Sequence, residues 1–157
     1  MKKIPMTSNG YDKLQEELKI LVNKERPEII AAIAEARGHG DLSENAEYQY
    51  AKEQQSLIEG KISELESVIA HAEIIDVTSL DGSEIKFGAT VKIQEENNKG
   101  TSTYQIVGEY ESDIENKKLS INSPLARSLI GKQKNEIVEV TSPKGIKVYK
   151  IISVKFI

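Results

Sequence analysis

Two apolar stripes at helical spacing, joined by a stretch short enough to force a reversal, constrain this chain more than any other feature. Leu14, Leu18, Leu21 and Val22 recur three or four residues apart, and Ile29, Ile33 and Ala36 continue the stripe. That spacing puts the apolar side chains on one face of a helix. A second stripe runs through Tyr50, Leu57/Ile58, Ile62, Leu65, Ile69 and Ala72, with Lys52, Glu53, Lys61, Glu64 and Glu66 between them. Gly38 and Gly40 separate the stripes, and glycine ends helices because it takes positive φ without strain. The pattern predicts an antiparallel coiled-coil hairpin. About 30 helical residues reach roughly 45 Å at 1.5 Å each, and arms that bury mainly each other form a protrusion. Thr7 is placed to cap the first helix, and the second is expected to begin near Asp41 to Glu44. Pro27 falls within the first stripe, where it can neither donate to the carbonyl four residues back nor fit that turn. A kink or short break is expected near residues 23–27.

The second half changes period. Residues 73–77, 90–93, 102–107, 118–121, 136–141 and 147–154 read as strands, several alternating apolar and polar side chains. Asp81-Gly82, Asn97 to Gly100 and Ser142 to Gly145 supply turns between them. One short helix interrupts the series, with Ser123 as N-cap, Pro124 at the first helical position and Gly131 as the stop. The fold class expected is therefore α+β with two domains, a helical hairpin over 1–76 and a β-rich domain over 77–157.

Charge narrows the function classes. Of 21 basic and 25 acidic residues, nine basic and fifteen acidic fall within 1–76, a balance of −6, which leaves +2 for the rest. Neither half carries the clustered positive charge of a general duplex-DNA binder. There is no cysteine, so disulfides and thiolate metal sites are excluded. The start, Met1 to Thr7, has no apolar run long enough for a signal peptide, and no segment approaches the ~20 apolar residues of a membrane span. A cytoplasmic protein without membrane contact is expected.

Between the two stripes lies Gly38-His39-Gly40-Asp41-Leu42-Ser43-Glu44-Asn45-Ala46-Glu47-Tyr48, which places Asp41, Glu44 and Glu47 at the far end of the hairpin. Two chemistries fit those acids. Asp41 as N-cap with Glu44 three residues on matches a capping box, and acids in a first turn complement the helix dipole. Alternatively, carboxylates are ligands for hard cations such as Mg²⁺. Two on a thin arm are too few for a strong site of their own, but they could complete one inside another macromolecule, as in phosphodiester hydrolysis on two metal ions. The readings are compatible, since a cap also fixes where its carboxylates point.

Gly40 to Tyr48 resembles the tip signature of the bacterial Gre transcript-cleavage factors. Arg26-Pro27-Glu28-Ile29-Ile30 before it, Ala51 to Gln55 after it and Ile121 to Arg127 in the second half agree. The likeness spans essentially the whole chain. Leu42 and the Ser123 to Gly131 stretch bring it nearer the GreA branch than the GreB branch. The resemblance implies a coiled coil followed by an FKBP-like domain. It implies a transcription elongation factor whose coiled coil enters the secondary channel of bacterial RNA polymerase and stimulates Mg²⁺-dependent cleavage of backtracked nascent RNA. The hydrolysis would be the polymerase's own, so the chain is not expected to be an enzyme.

Asp41 and Glu44 match the family's metal-holding acids, with Mg²⁺ shared with the polymerase and not held tightly by the free protein. Ser43 and Asn45 are candidate supports of the tip. Arg37 and Lys52 match basic positions facing RNA, although Lys52 stands where a family member carries Arg and supplies a point charge in place of a bidentate fork. Ser123, Pro124 and Leu125 are the candidate polymerase-binding residues on the channel rim. Glu47 and Tyr48 match the pattern without an assigned role. His39 beside Asp41 could join a metal cluster or simply be solvated. The free protein is expected to be a monomer. The alternative function is an antagonist that enters the channel without promoting cleavage. A prolyl isomerase, suggested by an FKBP-like fold, is disfavoured by the sparse aromatic set of the second half, and fold does not imply function.

Overall fold

The computed structural model describes residues 2–40 and 45–157. The chain is α+β and divides into two compact units, Met1–Lys2 with Asp12–Ala72, and Lys3–Tyr11 with Glu73–Ile157. The first unit carries the helical arms. α1 spans Ser8–Ile20, a π-helical turn follows at Leu21–Glu25, and α2 spans Arg26–Arg37. α3 is a single helix over Ala46–Ala70. The strand-rich unit contains β1 (Ile4–Thr7), β2 (Ala72–Ile75), β3 (Thr90–Glu95), β4 (Thr101–Val107), β5 (Lys118–Ser120), α4 (Pro124–Leu129), β6 (Ile137–Ser142) and β7 (Gly145–Lys155).

The disturbance expected before Pro27 takes the form of the π turn. The Arg26 N–H bonds to the Leu21 carbonyl, five residues back. A wider turn accommodates the ring and the missing donor of Pro27 without ending the helix. Thr7 caps α1 as expected, its Oγ1 accepting from the Gly10 N–H at 3.1 Å.

The first stripe is buried at Leu14, Leu21, Ile33 and Ala36. On α3 the buried positions are Ala51, Ile62, Leu65 and Val68. Two members of the expected second seam fall outside it, since Tyr50 is 64% and Leu57 66% exposed. A residue one position earlier is rotated by about 100° around the helix axis. The seam therefore takes Ala51 in place of Tyr50, with Ala36 buried on α2. Arg26 Nε and Nη2 donate to both Glu59 carboxylate oxygens at 2.8 and 2.9 Å, tying α2 to α3. This pairing raises the guanidinium pKa above its ordinary value.

Where the second helix begins differs from expectation. Its first residue is Ala46 and its N-cap is Asn45, so the cap lies beyond the Asp41 to Glu44 box, whose residues fall outside the described ones. Of the two glycines before it, only Gly40 takes a positive φ, of 127°. Gly38 is in the right-handed region, closing α2 with a bond from its N–H to the Glu35 carbonyl.

In the strand-rich unit, β1 pairs with β2, and a five-stranded sheet runs in the order β5-β4-β3-β7-β6. All its pairings are antiparallel except β4 with β5. Ile85, Val91, Ile93, Ile106, Leu119, Val138 and Ile151 form its core with Ala126 and Leu129 of α4. All six strands read from the sequence are present. β1 was not read, and it accounts for the membership of Lys3–Tyr11 in this unit instead of the expected 1–76 domain. That segment is held by one carboxylate. Glu111 accepts from the Thr7 N–H at 2.9 Å, from the Thr7 hydroxyl and from the Gly108 N–H at 3.0 Å. A methyl added at Gly10 would overlap this carboxylate and force the Glu111 side chain to move.

Candidate functional site at the hairpin end

The residues flanking positions 41–44 are joined across the two arms by three contacts, and each has a sequence-level cause. Asn45 is a cap residue by chemistry, because its short amide can accept from the first helical turn. Its Oδ1 accepts the Tyr48 N–H at 3.1 Å, while its Nδ2 donates to the Ala36 carbonyl of α2 at 2.5 Å. One side chain thus satisfies a donor at the start of α3 and an acceptor at the end of α2, two places where helices leave backbone groups unpaired. His39 and Glu47 pair through Nδ1 and Oε2 at 2.7 Å. The Arg37 guanidinium lies 6.0 Å from the centre of the Tyr48 ring, at the edge of cation–π range.

Arg37, His39, Asn45, Glu47 and Tyr48 therefore come together at the base of the reversal. The carboxylates singled out by sequence, Asp41 and Glu44, and the supporting Ser43 lie outside the described residues. Asn45 does more than shape a turn, since it fastens one arm to the other. Glu47 is committed to His39, which gives both residues a partner other than a metal. Lys52 projects from α3 and donates to Gln55 Oε1 at 3.1 Å on the same exposed helix surface. Sequence reasoning missed the cross-arm pairings. The available signal was Asn45 itself, a stronger cap candidate for a helix starting at Ala46 than any acid upstream.

In the strand-rich unit the Ser123 hydroxyl donates to the Ser120 carbonyl at 2.7 Å and accepts the Ala126 N–H at 3.2 Å. Pro124 occupies the first helical position as expected and is exposed. Leu125 is half-buried against the core.

Family models for the N-terminal and the C-terminal part of the GreA/GreB transcription elongation factors match residues 4–74 and 80–156. The transcription elongation factor GreA of Caulobacter vibrioides is 54% identical over 157 residues, covering 100% of both chains. The chain belongs to the GreA family of transcription elongation factors. GreA of Paracoccus denitrificans is 57% identical, again over 100% of both chains. Among solved structures, the GreA factor homolog 1 protein of Thermus thermophilus aligns at 21% identity with a TM-score of 0.45, over 98% of this chain and 99% of that one. The family assignment fits the order of parts, with helical arms first and a strand-rich unit second. Asn45 and Tyr48, at the end of the Gly40 to Tyr48 stretch, are joined by a hydrogen bond, and Asn45 also reaches α2.

Proposed function

We propose that this chain is a transcript-cleavage factor of bacterial RNA polymerase. Its helical hairpin enters the secondary channel, and its Asp41 and Glu44 carboxylates join the polymerase's own ligands around a catalytic Mg²⁺ next to backtracked RNA. The observation that carries the reading is the fastening of the arms by Asn45, His39–Glu47 and Arg37–Tyr48. The residues on either side of positions 41–44 are thereby held to one another. Delivering ligands to a site on another molecule requires such anchoring, because each ångström of looseness dilutes the ligand.

The donor set suits a shared ion. Carboxylate oxygens match Mg²⁺, which is held by one or two of them plus substrate phosphate and water. Among the described residues no three acids or histidines gather into a metal cluster, and His39 and Glu47 satisfy each other. Asp41 and Glu44 would supply the protein's share. When bound, the ion polarises water and stabilises charge at the scissile phosphate. Arg37, 6.0 Å from the Tyr48 ring centre, offers N–H donors to a phosphate. Lys52 can exchange its single bond to Gln55 for an RNA phosphate.

The strand-rich unit, with its FKBP-like character implied by the resemblance, serves as the anchor on the channel rim through the Ser123-Pro124-Leu125 corner. The chain works as a monomer in the cytoplasm. Among the described residues no helix is long and apolar enough to cross a membrane. The deciding experiment stalls a polymerase in a backtracked state and adds the chain with Mg²⁺. A shortened transcript that can be extended again is expected. Channel binding without shortening would make the chain an antagonist and refute the cleavage role.

A further inference from the structure

Strand alternation gives the five-stranded sheet one face turned to the core and one turned outward. Val91 and Ile93 of β3 and Ile151 of β7 lie in the core, so Lys92, Gln94 and Lys150 belong to the outer face. The register extends that face across the strands. Thr90 stands between Gln105 and Lys155, with Lys118 of β5 beyond Gln105. Lys92 stands between Thr103 and Ser153, and Gln94 between Thr101 and Lys150. Every side chain in these rows is Lys, Gln, Thr or Ser.

Lys92, Lys118, Lys150 and Lys155 are far apart in the chain, and strand register alone gathers them, so the sequence shows no cluster. Lys92, Lys150 and Lys155 are exposed, and Lys118 is half-buried and donates to Gln105. None of them forms an ion pair among the described residues. Diagonal neighbours across an antiparallel pair lie about 7–8 Å apart, so Lys155, Lys92 and Lys150 make a line of like charge along β3 and β7. Carboxylates stand at its margins. Glu96 lies past the end of β3, and Glu139 is opposite Val148 on β6. Asp76 lines a cavity with Lys118, but it accepts hydrogen bonds from Thr78. Lysines on edge strands guard against pairing with other chains. That use does not arise on β3 and β7, which are interior strands. A merely solvated surface mixes both signs, and these rows carry one.

We propose that the outer face of this sheet binds the sugar-phosphate backbone of double-stranded DNA without reading its sequence. Charge complementarity selects an anionic polymer, and the neutral side chains narrow it. Lysine supplies a point charge to a phosphate, and the Thr, Ser and Gln side chains between the lysines add hydrogen-bond donors of the kind that contact phosphate and sugar. A protein partner would need an apolar or aromatic anchor, and the rows contain none. Single-stranded nucleic acid is held largely by bases stacked on aromatic rings, which the rows also lack. They have no arginine for bidentate recognition of a base edge, so the contact is independent of sequence. The choice of DNA as the duplex rests on the transcription role proposed above, since a transcribing polymerase carries a DNA template.

The test titrates the full-length chain into a fluorescein-labelled DNA duplex of arbitrary sequence, without polymerase, and reads anisotropy over a series of salt concentrations. Binding is expected with a Kd of about 1–100 µM at physiological salt. The logarithmic salt slope should be about −3.6, from four phosphate contacts at about −0.9 each. Lys92→Gln with Lys155→Gln should weaken binding and bring the slope to about −1.8. Lys134→Gln with Lys144→Gln makes the same change in net charge at exposed lysines outside the rows, and should leave affinity and slope unaltered. Circular dichroism confirms that each variant folds. Equal effects of the two lysine pairs would reduce the binding to net charge and overturn the face. Loss confined to Arg37→Gln with Lys52→Gln would move the contact to the hairpin and also overturn it. Single-stranded RNA that displaces the duplex, or binding to phosphatidylserine vesicles without binding to the duplex, would refute DNA as the occupant. Because no polymerase is present, failure here leaves the cleavage role standing, and that role fails only in the backtracked-complex assay.

Discussion

Replacing Asn45 tests whether the arms are fastened by one side chain. Asn45→Ala removes two hydrogen bonds together. Loss of an N-cap costs about 1 kcal/mol. The second loss is smaller than that of a typical buried bond, because the Ala36 carbonyl still accepts the His39 N–H at 3.1 Å. The low end of the hydrogen-bond range, ~0.5 kcal/mol, is appropriate. The sum is ~1.5 kcal/mol, or roughly a tenfold change in a local opening equilibrium. Hydrogen exchange at the Tyr48 N–H, which bonds to Asn45 Oδ1, should therefore speed up about tenfold. Asn45→Ser separates the parts, since serine caps about as well as asparagine but is too short to reach across to Ala36. It should recover most of the protection at Tyr48 while leaving the arms unlinked. Cleavage of backtracked RNA should fall for both variants, with polymerase affinity unchanged. Tyr48 exchange that is unaltered in Asn45→Ala would refute the cap. Full cleavage by Asn45→Ser would refute the need for the cross-arm bond.

Four further outcomes are expected. Asp41→Asn and Glu44→Gln should each lower cleavage steeply without loss of polymerase binding, partly offset by raised Mg²⁺, because both keep capping ability while removing charge; near-normal cleavage by both would return these residues to a structural role. The chain alone should leave free RNA intact in Mg²⁺, as judged by gel electrophoresis of a nuclease-free preparation. The Asp76 carboxylate is held below its ordinary pKa by hydrogen bonds from Thr78, so its contribution is present above the unfolded pKa and is lost as pH falls through the folded one; Asp76→Asn should narrow the gap in melting temperature between neutral and acid pH. Gly10→Ala should cost about 2 kcal/mol or more in thermal unfolding by displacing Glu111 from its three donors.

What was legible in the sequence follows from what each signal reports. Periodicity reports which face is apolar, so Leu14, Leu21, Ile33, Ile62 and Leu65 were identified correctly as buried. It fails at Tyr50 and Leu57, which are exposed, while Ala51, one residue from Tyr50, is buried. Turn and cap chemistry located α4 to the residue, because Ser123, Pro124 and Gly131 each have one dominant use. The same chemistry misplaced the start of α3, since Asp41 and Asn45 are both good caps and only the position of the Ala36 carbonyl discriminates between them. β1 was missed because four residues are too few to show alternation, and its hold on the unit comes from Glu111, 104 residues from Thr7 in the chain.

The candidate site was legible in a different way. Its acids were found through a nine-residue likeness, and neither spacing nor charge alone chose between cap and metal ligand. The pairings around them now weight that choice. A helix needs one N-cap, and Asn45 fills that place for α3. Asp41 is therefore not the N-cap of α3. Glu47, which sequence alone could not separate from Asp41 and Glu44, is paired with His39 at 2.7 Å. Of the three acids at the hairpin end, Glu47 is thus engaged by His39, and under the proposed function Asp41 and Glu44 are the carboxylates offered to a Mg²⁺ ion in a partner's catalytic site.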